Sequence, residues 1–317
     1  MSRKRLAAVT VLVVALTSAA AVASVTASAT PARTHAGTVK LGFITKFPVD
    51  FYFTLVGGAK QWAASHKNVS VTYAQGKAAT DDAGEIAAIQ DMVASGVKGI
   101  AITPTSPAVI PALNKAVKAG VKVVLMDNDL PTWHLKSSVV STNNLKGGTL
   151  AGQFLAKKLK AGDTLGILEG VPGVPALDDR VNGMLAGLGS MKSQIKIVSK
   201  LETDCDQTKG AAAAQTMLTA NPNLTAIYSA CGPPALGAIQ SIKNAGIKPG
   251  GLILVGFDGL PDEVAAVKAG TETATVAQHP SKIGSLGIAT LYAAVQGQKV
   301  TKSVDTGTSL ITPENAK

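Results

Sequence analysis

One joint, repeated three times, constrains what this chain can fold into: Ser95-Gly96-Val97-Lys98, Ala119-Gly120-Val121-Lys122 and Ala245-Gly246-Ile247-Lys248. Each places a glycine just past a helically periodic run, where a helix end needs a left-handed residue. An apolar residue then packs back on the last turn. Two copies fall in the first half and one in the second, so both halves read as stacks of one helix-to-strand unit.

The runs between the joints agree. Short apolar strands are expected at 39–45, 69–73, 99–102, 122–126, 139–141, 164–168, 195–201, 226–229, 252–255 and 273–277. Helices are expected at 54–65, 81–95, 107–119, 145–159, 178–188, 208–220, 234–245 and 280–296. Continuous apolar strands alternating with helices predict an α/β fold with parallel sheets covered on both faces.

The ends of those strands carry the chemistry. Polar side chains follow them: Lys46 and Asp50, Asp127 and Asn128, Asp204 and Asp206, Asp258, and Gln278. In open α/β sheets ligands bind at the carboxyl ends of strands. Any one of these residues also reads as a helix cap or loop carboxylate; their recurrence argues for a site. Residues 41–53 add five of the chain's 12 aromatics: Phe43, Phe47, Phe51, Tyr52 and Phe53. The last of these are expected in a strand-to-helix loop as a ligand face, with a hydrophobic plug under the first helix as the competing reading. After Arg33 the only arginine is Arg180, in a chain that otherwise uses lysine; a lone guanidinium fits a place where planar hydrogen bonding matters. Carboxylates, amides and rings together suit a neutral, hydroxyl-rich ligand.

Other classes are disfavoured. Arg3-Lys4-Arg5, an apolar run over 6–22 and Ala27-Ser28-Ala29 predict an export signal over residues 1–29, followed by a flexible tail over 30–37. No cysteine precedes Cys205, so no lipid anchor through an N-terminal cysteine is expected. The net charge of +10 falls by three without that signal. The remaining surplus is scattered lysine and does not read as a nucleic-acid footprint. The four histidines (His35, His66, His134, His279) stand apart from carboxylates and cysteines at metal-ligand spacing. No nucleophile elbow, phosphate loop or dinucleotide fingerprint occurs. No enzyme, metal or cofactor is therefore expected. Gly183, Gly187 and Gly189 read as close helix packing. Cys205 and Cys231, an even pair in an exported chain, are consistent with a disulfide, with two buried free thiols as the alternative.

The stretch Val255-Gly256-Phe257-Asp258-Gly259-Leu260-Pro261-Asp262, followed by Thr275-Val276-Ala277-Gln278-His279-Pro280, resembles the C-terminal signature of type I periplasmic sugar-binding proteins, the ribose-binding-like partners of ABC importers. The aromatic stretch at 50–53, Asp127, Asn144 before Gly147-Gly148, and Arg180 with Gly183 stand in the family's order, over about 39–311. The resemblance implies two Rossmann-like lobes joined by a three-segment hinge. The N-terminal lobe is expected at 38–142 plus 279–305 and the C-terminal lobe at 143–278 plus 306–317. It implies a monomeric, exported protein of the periplasm or cell envelope. Such a protein captures a monosaccharide or sugar alcohol in the inter-lobe cleft and delivers it to an ABC transporter permease. A ligand-presenting sensor for a membrane receptor, carrying a sugar or autoinducer-2-like signal, is the alternative. The implied ligand-binding set is Lys46, Asp50, Tyr52, Phe53, Asp127, Asn128, Arg180, Asp258 and Gln278. Tyr52 and Phe53 would pack on the sugar, Asp127, Asp258 and Gln278 would bond its hydroxyls, and Arg180 would reach in from the second lobe. This chain departs from the ribose-binding pattern at Lys46, where a serine is usual, at Asp50 and at Asn128. Cys205 and Cys231 stand where the family has a stacking aromatic and an asparagine, so a bridge there would form part of the pocket wall.

Overall fold

In the computed structural model, which describes residues 37–316, all three glycine joints form. Gly96, Gly120 and Gly246 take φ of 79°, 84° and 74°. Beyond them the amides of Val97, Val121 and Ile247 donate to the carbonyls five residues back, on Met92, Ala116 and Ile242, at 3.0–3.3 Å. These are Schellman closures. The expected export signal and the tail up to residue 36 lie outside the described residues.

The first run of elements is β1 (Val39–Thr45), α1 (Asp50–Ala64), β2 (Val69–Gln75), α2 (Asp82–Ala94), β3 (Gly99–Ile102), α3 (Ile110–Lys118), β4 (Lys122–Met126) and β5 (Ser138–Ser141). The second is α4 (Asn144–Lys158), β6 (Thr164–Glu169), α5 (Pro175–Gly187), β7 (Lys196–Glu202), α6 (Gln207–Ala220), β8 (Ala226–Ser229), α7 (Gly232–Asn244), β9 (Ile253–Asp258), α8 (Pro261–Ala269) and β10 (Ala274–Ala277). The chain then returns through α9 (Pro280–Val295), β11 (Ser303–Asp305) and β12 (Ser309–Ile311).

Two six-stranded sheets result, ordered β11-β5-β4-β3-β1-β2 and β12-β10-β9-β8-β6-β7. Both carry the same doubly wound core, with the order reversing beside β1 in one and β6 in the other. Every pairing is parallel except β10 with β12. The α/β expectation holds. Each sheet is buried on both faces, as continuous apolar strands require: Ile44, Ile100 and Leu125 pack on one side of the first sheet and Leu41, Phe43 and Val124 on the other. The chain passes between the sheets three times, and the passages are tied to one another. Asp305 accepts from the Asn143 and Gly307 amides at 3.2 and 2.8 Å, and Thr306 N donates to Ser141 O at 3.0 Å.

Helix α9 crosses back to cover the first sheet, with Ile283, Ile288 and Leu291 in its core. It lies against α1 so closely that Gly58 has no room for a Cβ over Ser281 O, nor Gly284 over Leu55 O. Gly183 and Gly187 likewise face Leu145 and Thr149 backbone, whereas Gly189 takes φ 55° in open space, so it serves a turn and not packing.

Some boundaries differ from expectation. Helix α1 starts at Asp50, not at 54, because no glycine or proline lies between Pro48 and residue 54 and an acid in the first turn favours the helix dipole. The aromatic cluster is thus the first turn of a helix and not a loop. Helix α5 starts at Pro175, whose fixed φ suits a first helical residue. The expected helix at 107–119 opens with a 3-10 turn over Pro107–Val109. Helix α8 and the three-residue strands β11 and β12 had no reading in the sequence. No described helix is long and apolar enough to cross a membrane.

Candidate ligand-binding site

The carboxyl ends of strands from both sheets open on one cavity of about 490 Å³. Lys46 reaches it from the end of β1, Asp127 and Asn128 from the end of β4, Arg180 from α5, Asp258 from the end of β9 and Gln278 from just after β10.

Arg180 organises the floor. Its Nε donates to Asn144 Oδ1 at 2.8 Å, and Nη1 donates to Ala230 O at 2.9 Å and Asp258 Oδ1 at 3.0 Å. The guanidinium lies 4.0 Å from the centre of the Phe257 ring, a cation–π contact. Asp258 also accepts from Gln278 Nε2 at 2.7 Å and from the Gly232 amide at 3.0 Å. Burial pushes the Asp258 carboxyl upward, opposed by Arg180 and those two donors.

On the facing side, Asp127 Oδ2 accepts from the Tyr52 hydroxyl at 3.1 Å and from Asn128 Nδ2 at 3.3 Å. Lys46 is 7 % exposed, and no described residue pairs with its ammonium. Burial lowers its affinity for a proton, opposed chiefly by the charge of Asp127. Beneath it, Glu85 accepts the Thr105 amide and hydroxyl at 2.7 and 2.6 Å through Oε2, while Oε1 is buried without a partner. Burial raises the Glu85 carboxyl to about 7.

The backbone is strained at this place. The positive-φ non-glycine residues among those described are Asp127 (62°), Asp204 (51°), Cys205 (55°) and Asp258 (122°), and all four line the cavity. Left-handed or rarer conformations cost of order 1–3 kcal/mol each and gather where function holds them. Asp206, by contrast, caps α6 through the Lys209 amide.

The expected set does not gather completely. Asp50 is exposed at the rim. Phe53 is 53 % exposed and lies outside the cavity lining. With α1 starting at Asp50, the residues turned inward are Phe51, Tyr52 and Leu55, and Phe53 is rotated off that face. Phe51 takes its place in the lining, along with a proline-rich wall that includes Pro104, Pro131, Pro172 and Pro233. A helix start at Asp50 would have revealed Phe51; the prolines read only as helix and strand punctuation. Cys205 and Cys231 face each other in the wall with Cα atoms 5.4 Å apart, within the span of a disulfide. No group of three or more His, Cys, Asp or Glu able to hold a metal occurs among the described residues.

The arrangement is a clamp of two doubly wound sheets with polar groups from both at one cleft. Residues 41–299 match the model of the periplasmic binding protein domain. The chain belongs to the type I periplasmic binding protein family. It is 34% identical to the ribose import binding protein of Haemophilus influenzae over 253 residues, 79% of this chain and 83% of that one. Against the D-allose-binding periplasmic protein of Escherichia coli the identity is 35% over 219 residues, covering 67% and 70%. Among solved structures, an ABC transporter solute-binding protein from Burkholderia graminis in complex with D-arabinose superposes with a TM-score of 0.82 at 29% identity, covering 88% of this chain and 97% of that one. The polar residues at the strand ends of both sheets line the one cavity described above.

Proposed function

We propose that this protein captures a monosaccharide or sugar alcohol between two lobes and delivers it to an ABC transporter permease. The lobes are residues 38–142 plus 279–305 and 143–278 plus 306–317. The observation that carries the reading is the unused hydrogen-bonding capacity of the cleft. Gln278 Oε1 is buried without a donor, and Asp127 bonds within the chain only through Oδ2. Lys46 Nζ and Arg180 Nη2 are donors with no acceptor among the described residues. Acceptors and donors from both sides, around apolar walls, match a molecule whose every hydroxyl can both give and take a hydrogen bond. Relatives whose names specify ribose or D-allose support the cargo class.

Tyr52 packs on the cargo; Asp127, Asn128, Asp258 and Gln278 bond it, and Arg180 reaches it from the second lobe. Asp50 acts at the rim. Cys205 and Cys231 form a disulfide in the wall, which an exported location permits. The chain works outside the cytoplasm as a monomer.

A thermal-shift screen of the mature chain tests this, because a ligand that binds only the folded state raises the midpoint by mass action. D-ribose, D-arabinose, D-allose, D-fucose or myo-inositol is expected to raise the midpoint. A response to amino acids alone would overturn the reading.

A further inference from the structure

Two acids outside the cavity lining are buried beside the turn that carries Asp258: Glu263 in the first turn of α8 and Glu272 just before β10. Their carboxyls converge on Gly256 of β9, where a Cβ would strike Oε1 of each, and a Cβ at Gly232 would strike Glu263 Oε2. Glu263 is engaged as an acceptor through both oxygens. Oε2 takes the Leu260 amide at 2.9 Å and Oε1 the Thr275 hydroxyl at 2.7 Å. Thr275 Oγ1 accepts in turn from the Gly259 amide at 3.3 Å. Two successive amides of the turn thus hang on Glu263, one directly and one through Thr275. Asp258, which precedes them, stands at φ 122° and holds Arg180 and Gln278. Glu272 faces Glu263 across Gly256, and both of its oxygens are buried without a hydrogen-bond partner among the described residues. Burial raises both carboxyls well above the usual range. The charge of Asp258 adds to the effect on Glu263 and that of Glu263 to the effect on Glu272, against smaller effects of the Leu260, Thr275 and Gly256 groups.

Ionised carboxylates are acceptors only, so two that face each other in a dry interior cannot both keep their charge. A proton on Glu272 removes one charge and gives Glu263 a third donor. The charged groups that face the pair are Asp258 on β9 and Arg180 on α5. Helix α7 brings Gly232 and Ala235 and strand β10 brings Thr275, none of which titrates; on α8 itself Asp262 and Lys268 are exposed. We propose that Glu263 and Glu272 share one proton and form a positioning pair for the turn Asp258–Leu260, so that cargo binding weakens when the proton leaves. This rests on the capture of a polyhydroxy molecule argued above. With the proton gone, two carboxylates repel at Gly256, and Glu263, tied to Leu260 and Thr275, carries the turn with it. The folded chain holds a proton that the unfolded chain releases above the usual glutamate value. Stability from the pair is therefore full on the acid side and falls as pH rises.

The test compares the parent chain with Glu272→Gln, whose amide still donates to Glu263 but cannot titrate, from about pH 5 to about pH 9. Two quantities are read at each pH. One is the sugar-free unfolding midpoint; the other is Kd for whichever of D-ribose, D-arabinose, D-allose, D-fucose and myo-inositol most raises the parent's midpoint. The parent's midpoint is expected to fall further over that range than the variant's. Its Kd is expected to rise about threefold or more relative to the variant's, as loss of one hydrogen bond implies. Glu85 and Asp258 are present in both proteins, so their titration cancels in the comparison. Glu263→Gln, which offers one acceptor to the two donors on Leu260 and Thr275, is expected to weaken the same sugar at every pH; binding at parental strength would overturn the positioning role. Parallel profiles of midpoint in the parent and Glu272→Gln would overturn the shared proton, and parallel profiles of affinity would overturn its link to cargo. If Glu263→Gln does not fold, the Glu272→Gln comparison decides alone. Silence of the parent toward all five sugars overturns the capture reading itself, while the sugar-free midpoints still judge the shared proton.

Discussion

Arg180 is buried and holds Asn144, Ala230 and Asp258 through Nε and Nη1, so removing it strands Asp258 as a buried carboxylate without a cation. Arg180→Met should therefore cost about 3–5 kcal/mol of stability, read as a fall in unfolding midpoint. Arg180→Lys should recover little of it, because a point ammonium cannot reach Asn144, Ala230 and Asp258 together. Glu85 gives a pH signature. Its carboxyl is raised to about 7 from 4.5, so between those values the folded state holds a proton that the unfolded chain has lost. Stability from this group is full on the acid side and falls as pH rises, by about 3 kcal/mol across the window. Glu85→Gln, which mimics the protonated form, should lose less stability between pH 5 and pH 7 than the parent does in denaturant titrations. At this scale the sequence was partly readable. Lys46, Asp127, Asp258 and Gln278 were visible because each follows an apolar run. Phe53 was misplaced because its face depends on where α1 begins, a matter of a few residues. Glu85 and Glu263 were invisible as buried acids, since a carboxylate in the first turn of a helix reads as ordinary dipole compensation.

Helix α9 is laid on α1 through two glycines, and the contact is backbone against backbone. A methyl group at Gly284 must push Leu55 O away, so Gly284→Ala should destabilise by about 1–3 kcal/mol despite the better helix propensity of alanine. Gly57, with open space around its Cβ position, is the control, and Gly57→Ala should be neutral or stabilising. A bridge between Cys205 and Cys231 would tether the loops that lead into α6 and α7 across a sequence separation of 26 residues. Opening a loop of that length should cost roughly 3–4 kcal/mol in the chain-entropy account; equal unfolding midpoints for the parent and the double serine variant would contradict the bridge. Elements were legible where local chemistry punctuates them. Glycine joints closed α2, α3 and α7 where expected, and Asp81 and Asn143 cap α2 and α4 through side-chain bonds to Gly84 and Lys146 amides. Strands β11 and β12 were not legible, because three residues on a sheet edge carry no periodicity and gain their order from β5 and β10 alone.

The molecule is two copies of one doubly wound sheet, joined by three passages, two of which Asp305 ties together. The residues that line the cavity divide between the two halves: Lys46, Tyr52 and Asp127 come from the first, Arg180 and Asp258 from the second. A molecule bound to both halves favours the conformation that brings them together, and only to the extent that it touches both. That division was foreseeable from the matched glycine joints in the two halves, whereas the return of the chain through α9 and β11 to the first sheet is a long-range pairing that no local pattern encodes. Small-angle scattering of the mature chain, with and without the sugar among D-ribose, D-arabinose and D-allose that most raises its unfolding midpoint, tests the central claim most directly. The account predicts a smaller radius of gyration at saturating sugar. A radius unchanged while the sugar is bound would contradict a clamp that closes on its cargo.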